Sequence, residues 1–248
     1  MDLLIDLGNS RLKWAWCDKT LWQTGVTDLD KKSAADLLDD VGEPQGEPQK
    51  VGMVSVAADV FSGELARAVE AKWGVEVRLI KSAQEQAGVH NGYGEPGQLG
   101  SDRWAALVAA RQETQSPVCV IGCGTAVTVD AMNADGEFIG GVIFPGLEIL
   151  RRSLHKGTAG IRLDSNRDSD TTCQATSTTD AVIAGTRFGL AGAIDKIVAE
   201  HHRVLGINTR NLITGGSVDA LAPLLDFPFH HIPDLVLRGV KRILEEQS

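Results

Sequence analysis

The chain has 248 residues, 43% of them hydrophobic and 23% charged, and a formal net charge of −9. That length and balance suit one globular domain or two compact lobes and argue against extended disorder. The acidic charge excludes attachment to nucleic acid through a broad basic surface, yet leaves room for an anionic ligand in a backbone-lined pocket. The four cysteines, at 17, 119, 123 and 173, have no His or second Cys pair at zinc spacing and read as free thiols. The opening MDLLIDLGNS has an acidic residue where a signal peptide needs a basic one, and no apolar run approaches the ~20 residues that span a bilayer. A cytoplasmic protein with no membrane association is expected.

In chain order, Leu3 to Asp6 predicts a strand, Gly8-Asn9-Ser10 a tight turn, and Arg11 to Cys17 a second strand. Leu21 to Val26 adds a third. A helix over Lys32 to Asp40 precedes the breaker-rich EPQGEPQ at 43–49, then come a strand at Val51 to Val56, a helix at Val60 to Lys72 and a strand at Val75 to Ile80. Residues 82–100 form a long Gly-rich polar segment, a length that is usually functional or mobile. Ser101 reads as the N-cap of the helix WAALVAAR, with Asp102 in its first turn.

The second half repeats the plan. Pro117 to Ile121 predicts a strand, Gly122-Cys123-Gly124-Thr125 a turn, and Val127 to Met132 and Phe138 to Ile143 two more strands. Helices follow near Pro145-Gly146 and over Thr179 to Val204. After them come a strand at Asn211 to Ile213, the turn Thr214-Gly215-Gly216, a helix at Val218 to Leu225, a strand at Phe227 to Ile232 and a helix at Leu235 to Glu245. Asp6-Leu7-Gly8-Asn9-Ser10 aligns with Gly122-Cys123-Gly124-Thr125-Ala126, and the order of later elements also matches. Duplication is expected, with lobes at 1–115 and 116–248 and a longer second half.

Glycine turns let phosphate oxygens approach backbone N–H groups that a side chain would screen. Lys13, one strand beyond the first turn, is placed to meet a phosphate as a point charge, and Asp6 at a strand end to hold Mg²⁺ directly or through water. The Thr214-Gly215-Gly216-Ser217 turn would bring main chain close to a base or ribose. Trp14 and Trp16 alternate along a strand and should pack one face. The His201-His202 and His230-His231 pairs lack metal-ligand spacing.

Together, DLGNSRLK at 6–13, YGEPGQLGSDR at 93–103, GTAVTVD at 124–130, GGVIFPG at 140–146 and TGGS at 214–217 resemble the motifs of the type III pantothenate kinase family. That family sits in the acetate and sugar kinase, heat-shock 70 and actin superfamily. The resemblance implies an α/β fold of two ribonuclease-H-like (actin-like ATPase) lobes with ATP in the cleft between them, and phosphorylation of pantothenate by ATP with Mg²⁺, the first step toward coenzyme A. It implies that Asp6, Leu7, Gly8, Asn9, Ser10, Arg11, Leu12, Lys13, Gly124, Thr125, Gly215 and Gly216 hold nucleotide, and Asp6 the metal. Tyr93, Gly100, Ser101, Asp102, Arg103 and Thr178 would hold pantothenate, with Asp102 as catalytic base. It further implies a homodimer with pantothenate near the subunit interface. Asp102 suits that role because a carboxylate accepts the hydroxyl proton late in a loose transition state, and Arg103 suits a carboxylate or amide oxygen.

The sequence departs from the family pattern at Gly122, where the family carries an Asp that ligates a monovalent cation. Glycine offers no side-chain oxygen, so the K⁺ or NH₄⁺ site that the resemblance implies is in doubt. Two other readings of the whole chain stand beside this one: a superfamily kinase acting on another small alcohol or acid, and a non-catalytic accessory regulator. Retention of Asp6, Asp102 and Arg103 favours the enzyme.

Overall fold

The computed structural model describes residues 1–43, 46–158 and 172–246, so part of the 43–49 breaker and part of the second-half insertion lie outside the described residues. By compactness the chain divides into two units, one of Met1–Gln115, Gly136–Phe138 and Asp234–Ser248, the other of Ser116–Asp135 and Ile139–Pro233.

The first unit is built on strands β1 (Asp2–Leu7), β2 (Arg11–Cys17), β3 (Trp22–Asp28), β4 (Lys50–Ser55) and β5 (Val77–Leu79), in the order β3-β2-β1-β4-β5. β1 pairs antiparallel with β2 and parallel with β4, and β2 pairs antiparallel with β3. Helices α1 (Ala34–Val41) and α2 (Asp59–Trp73) cover one face, where Leu3, Ile5, Leu7, Leu12, Trp14 and Trp16 meet Leu37, Leu38, Leu65, Val69 and Trp73. The two alternating tryptophans do share that core. Trp16 is fully enclosed and donates Nε1–H to the Val41 carbonyl at 3.1 Å, which satisfies its one polar group.

Strand pleating turns the even-numbered residues of β1 to the opposite face, which α3 (Ser101–Glu113) and α7 (Leu235–Glu246) cover. Gly52, paired with Leu4, lies against Val240 and Leu244 of α7. A side-chain carbon at Gly239 would fall 1.8 Å from the Ala105 carbonyl oxygen, so its glycine lets α7 sit directly on α3. The terminal helix, expected in the second half, thus belongs by compactness to the first unit.

Residues 82–100 are folded in the structure. They contain β6 (Glu85–Gln86), β7 (Val89–Asn91) and a 3₁₀ turn at Pro96–Gln98, and β7 pairs with Glu137 and Phe138.

In the second unit, β8 (Val118–Cys123), β9 (Ala126–Met132), β10 (Glu137–Pro145, in this unit from Ile139 on), β11 (Arg210–Thr214) and β12 (His230–His231) run in the order β10-β9-β8-β11-β12. Counted from its own first strand, this is the 3-2-1-4-5 order of the first unit, with the same antiparallel and parallel pairings around the first strand. α4 (Leu147–Gly157), the long α5 (Thr178–Leu205) and the short α6 (Val218–Leu221) accompany it, and a core of Ile121, Val127, Val129, Leu190, Ile194 and Ile213 lies on the α5 side. The helix expected at 218–225 finishes as a 3₁₀ turn, and the strand expected over 227–232 reduces to its last pair of histidines.

Candidate active site

In the first unit the reactive groups collect where β1 and β4 end and α3 begins. Asp6 lies opposite Lys13 in the β1–β2 register and opposite Val54 in the β1–β4 register. By parity it belongs to the face that α3 covers. Gly8 closes the intervening turn by donating its N–H to the Arg11 carbonyl at 3.0 Å. Burial pushes the Asp6 carboxyl up to about 6; the Lys13 ammonium opposes that and the nearby Asp102 carboxylate adds to it. A buried carboxylate with a like charge close by is one that a hard divalent cation would relieve. Magnesium commonly takes one or two carboxylates and completes its shell with water and phosphate, so Asp6 fits such an ion without a larger protein cage.

Asp102 stands in the first turn of α3. Its Oδ1 accepts the Arg103 N–H at 2.7 Å, and burial raises its pKa against the lowering effects of that bond, of the Arg103 guanidinium and of Lys13. Arg103 is only 6% exposed, which for an arginine demands partners. Its Nη1 donates to the Tyr93 hydroxyl at 3.1 Å, and its guanidinium lies 6.0 Å from the Tyr93 ring centre and 5.7 Å from that of Phe138. The planar cation is thereby held by aromatic faces as well as a hydrogen bond.

Sequence reasoning missed two residues here. Phe138 is almost fully buried beside Tyr93, with ring centres 5.6 Å apart. Asn91 accepts the Tyr93 N–H at 3.0 Å and donates to the Ala83 and Pro96 carbonyls at 3.1 and 3.2 Å, so one amide ties both ends of the segment that presents Tyr93. The signal available was Asn two positions before Tyr93, a spacing that favours an Asx turn.

Ser101 is not the N-cap it was expected to be. The cap position belongs to Gly100 and Ser101 is the first helical residue. Its hydroxyl reaches across to β4, accepting the Ser55 N–H at 3.1 Å and donating to the Ser55 carbonyl at 2.9 Å.

The second unit gathers three glycine-bearing turns. Gly122 and Cys123, expected in the turn, are the last residues of β8, which leaves Gly124-Thr125 as the turn proper. Gly122 pairs with Thr128 and Thr214 as Asp6 pairs with Lys13 and Val54, so it occupies in this unit the place Asp6 holds in the other. Gly215, at φ +111, lies so close to Cys123 that a side-chain carbon would be 2.3 Å from its carbonyl oxygen, and Ser217 N–H donates to that oxygen at 3.0 Å. Both the left-handed conformation and the approach exclude a side chain. Gly146, not anticipated as a site residue, donates its N–H to the Thr125 carbonyl at 3.0 Å, and a side-chain carbon there would meet the Gly124 oxygen at 2.4 Å. Cys119 and Cys123 are buried, and burial pushes both thiols up to about 12, so neither is a nucleophile at neutral pH.

Thr178 is the first residue of α5. It lines an apolar groove of about 640 Å³ with Phe144, Leu150, Leu154 and the small residues Ala181, Gly185, Gly189 and Ala193, which recur every fourth position along α5.

The profile of the family described as type III pantothenate kinase matches residues 2–200. The chain is 38% identical to the type III pantothenate kinase of Thiobacillus denitrificans over 247 residues, covering 97% of this chain and 95% of that protein. Among solved structures it is similar to a ROK family glucokinase from Streptomyces griseus in complex with glucose and AMPPNP, at 12% identity and TM-score 0.55, over 100% of this chain and 99% of the other. It is also similar to a Campylobacter jejuni protein described as a Baf family transcriptional activator, at 21% identity and TM-score 0.58, over 99% and 98%. At those identities the structures establish the shared fold, two units of ribonuclease-H-like order.

Proposed function

Since the chain belongs to the type III pantothenate kinase family, we propose that it transfers the γ-phosphoryl group of ATP to the primary hydroxyl of pantothenate, the step that opens coenzyme A synthesis. The observation that carries this reading is the joint placement of Asp6, Lys13, Asp102 and Arg103 at one end of the first unit. In the transfer the hydroxyl oxygen bonds to γ-phosphorus as the bond from γ-phosphorus to the bridging oxygen breaks. The hydroxyl proton passes to the Asp102 carboxylate, and ADP leaves with the bond electrons. Lys13 and the Gly8 turn hold phosphate, as do Gly124 and Thr125, and Gly215-Gly216 leaves main chain open to the nucleoside. Asp6 would hold Mg²⁺, whose chemistry is to neutralise phosphate charge. ADP release measured against a panel of small alcohols, sugars and acids tests the reading: pantothenate should be preferred, and preference for a sugar would replace it.

Arg103 anchors the acceptor through its fork, with the carboxylate or amide oxygen of pantothenate as partner. In Arg103→Lys the charge stays while the planar contact with Tyr93 and Phe138 is lost. The expected result is a pantothenate KM raised by about tenfold or more with a smaller change in kcat. Weakened ATP binding with an unchanged pantothenate KM would move Arg103 to the nucleotide end.

The protein works as a homodimer in this reading, and the small-residue ridge of α5 with its apolar groove suits close contact with a second copy, which would bring Thr178 to the interface. Sedimentation should give twice the 26.4 kDa chain mass, and a monomer at micromolar concentration would refute this.

Activity is expected to change little when K⁺ is exchanged for a large inert cation at fixed ionic strength, because Gly122 offers no carboxylate. A side-chain carbon at Gly122 would lie 2.8 Å from Thr128 Oγ1, so Gly122→Asp needs that hydroxyl to swing aside. The backbone itself is not in the left-handed region and accepts the change. Strong K⁺ activation of the unmutated protein would show that other oxygens fill the role.

A further inference from the structure

We propose that Gly100 and Ser101 are the seat of Asp102, positioning residues that fix the proposed base. The inference deepens the kinase reading and rests on it for its kinetic part.

The Ser101 hydroxyl has one proton and accepts one hydrogen bond here, and both go to the backbone of Ser55, the last residue of β4. With its proton spent on the Ser55 carbonyl, Ser101 has none to give a substrate oxygen. What it does instead is pin the first turn of α3 to the strand beside β1. β4 holds Ser55 opposite Leu7 and Val54 opposite Asp6, so the pin fixes Asp102 relative to Asp6 through a hydrogen-bonded ladder with no flexible loop in the path. Gly100 completes the seat: a side-chain carbon there would fall 2.7 Å from Asp102 Oδ1, inside any allowed contact, with the backbone itself in an ordinary conformation. A side chain at this position would therefore push the carboxylate from its place. Behind the pin, Ser55 Oγ meets Ser62 Oγ at 2.7 Å and Ser62 Oγ meets the Ala58 carbonyl at 3.2 Å, a side branch that does not touch Asp102.

The test uses the full-length protein with Ser101→Ala, Ser101→Thr, Gly100→Ala and, as control, Ser62→Ala. In Ser101→Ala the Ser55 amide loses its acceptor, so its hydrogen exchange should accelerate. Displacing a reacting group by about 1 Å costs on the order of 10²-fold, so kcat should fall by ~10–100-fold in Ser101→Ala and Gly100→Ala while both KM values stay within about threefold. Ser101→Thr keeps the hydroxyl and should recover most of kcat, and Ser62→Ala should match the parent. A rise in pantothenate KM at preserved kcat would make Ser101 a substrate contact and overturn the proposal. So would an equal kcat loss in Ser62→Ala, or no recovery in Ser101→Thr. If the parent protein shows no turnover with pantothenate, the kinase reading fails, while exchange at the Ser55 amide still decides whether the pin exists.

Discussion

Asp102→Asn is expected to lower kcat by about 10²–10⁴-fold while the protein stays folded, the range associated with loss of a positioned proton acceptor. The exchange is isosteric, and the asparagine carbonyl can still accept the Arg103 N–H that Asp102 Oδ1 accepts at 2.7 Å, so the first turn of α3 keeps its internal bond. What disappears is a basic oxygen in a site where burial already raises the proton affinity of the carboxylate. The substitution should also be visible without substrate. Asp6 feels Asp102 as a like charge, so with Asp102 neutral the Asp6 carboxyl should titrate below about 6. Carbon NMR of the side-chain carboxyl checks that shift independently of turnover. A kcat within about threefold of the parent would end the assignment of Asp102 as base.

Asp6→Asn should abolish most activity and yet stabilise the free protein at neutral pH. The folded-state pKa of Asp6 stands at about 6 against an ordinary 3.8, so the folded form binds the proton more tightly than the unfolded chain. Its favourable contribution is thus complete below about pH 4 and is lost as pH rises through about 6. Above that range the ionised, buried group costs on the order of 2–3 kcal/mol. Asparagine removes this cost, so thermal unfolding should shift up by roughly 5–10 °C at pH 8 and hardly at all at pH 4. A variant no more stable than the parent at pH 8, or equally stabilised at both pH values, would contradict this account of Asp6. A carboxylate kept where it weakens the free fold is the expected trade when its charge is needed for a bound cation.

The main strands of both units were legible from short apolar runs between turn residues, and β2 begins and ends where the pattern placed it, whereas β6 and β7 were not foreseen and β12 is shorter than expected. The match of Asp6 with Gly122 followed from aligned turns, and the registers place both at the same strand position. Turn chemistry misled at Gly122-Cys123, because glycine marks a turn only when the strand partners run out, and here Thr128 and Val127 still pair with them. Ser101 was misread for a different reason. A serine before a helix signals an N-cap, but its actual partner, Ser55, lies 46 residues away and is visible only once β4 and α3 are packed. The same holds for Phe138 and α7, whose contacts depend on which unit each segment folds onto. Motif resemblance thus pointed to Asp6 and Asp102 as candidates, while the neighbours that Ser101 and Arg103 touch became visible only in the tertiary structure.

The most direct measurement is product identification after incubating the purified protein with ATP, Mg²⁺ and pantothenate. Mass spectrometry should find pantothenate heavier by one phosphoryl group at its primary hydroxyl, formed in equal amount to ADP and absent with Asp102→Asn. ADP formed without phosphorylated pantothenate, or no pantothenate-dependent turnover by the folded protein, would contradict the account.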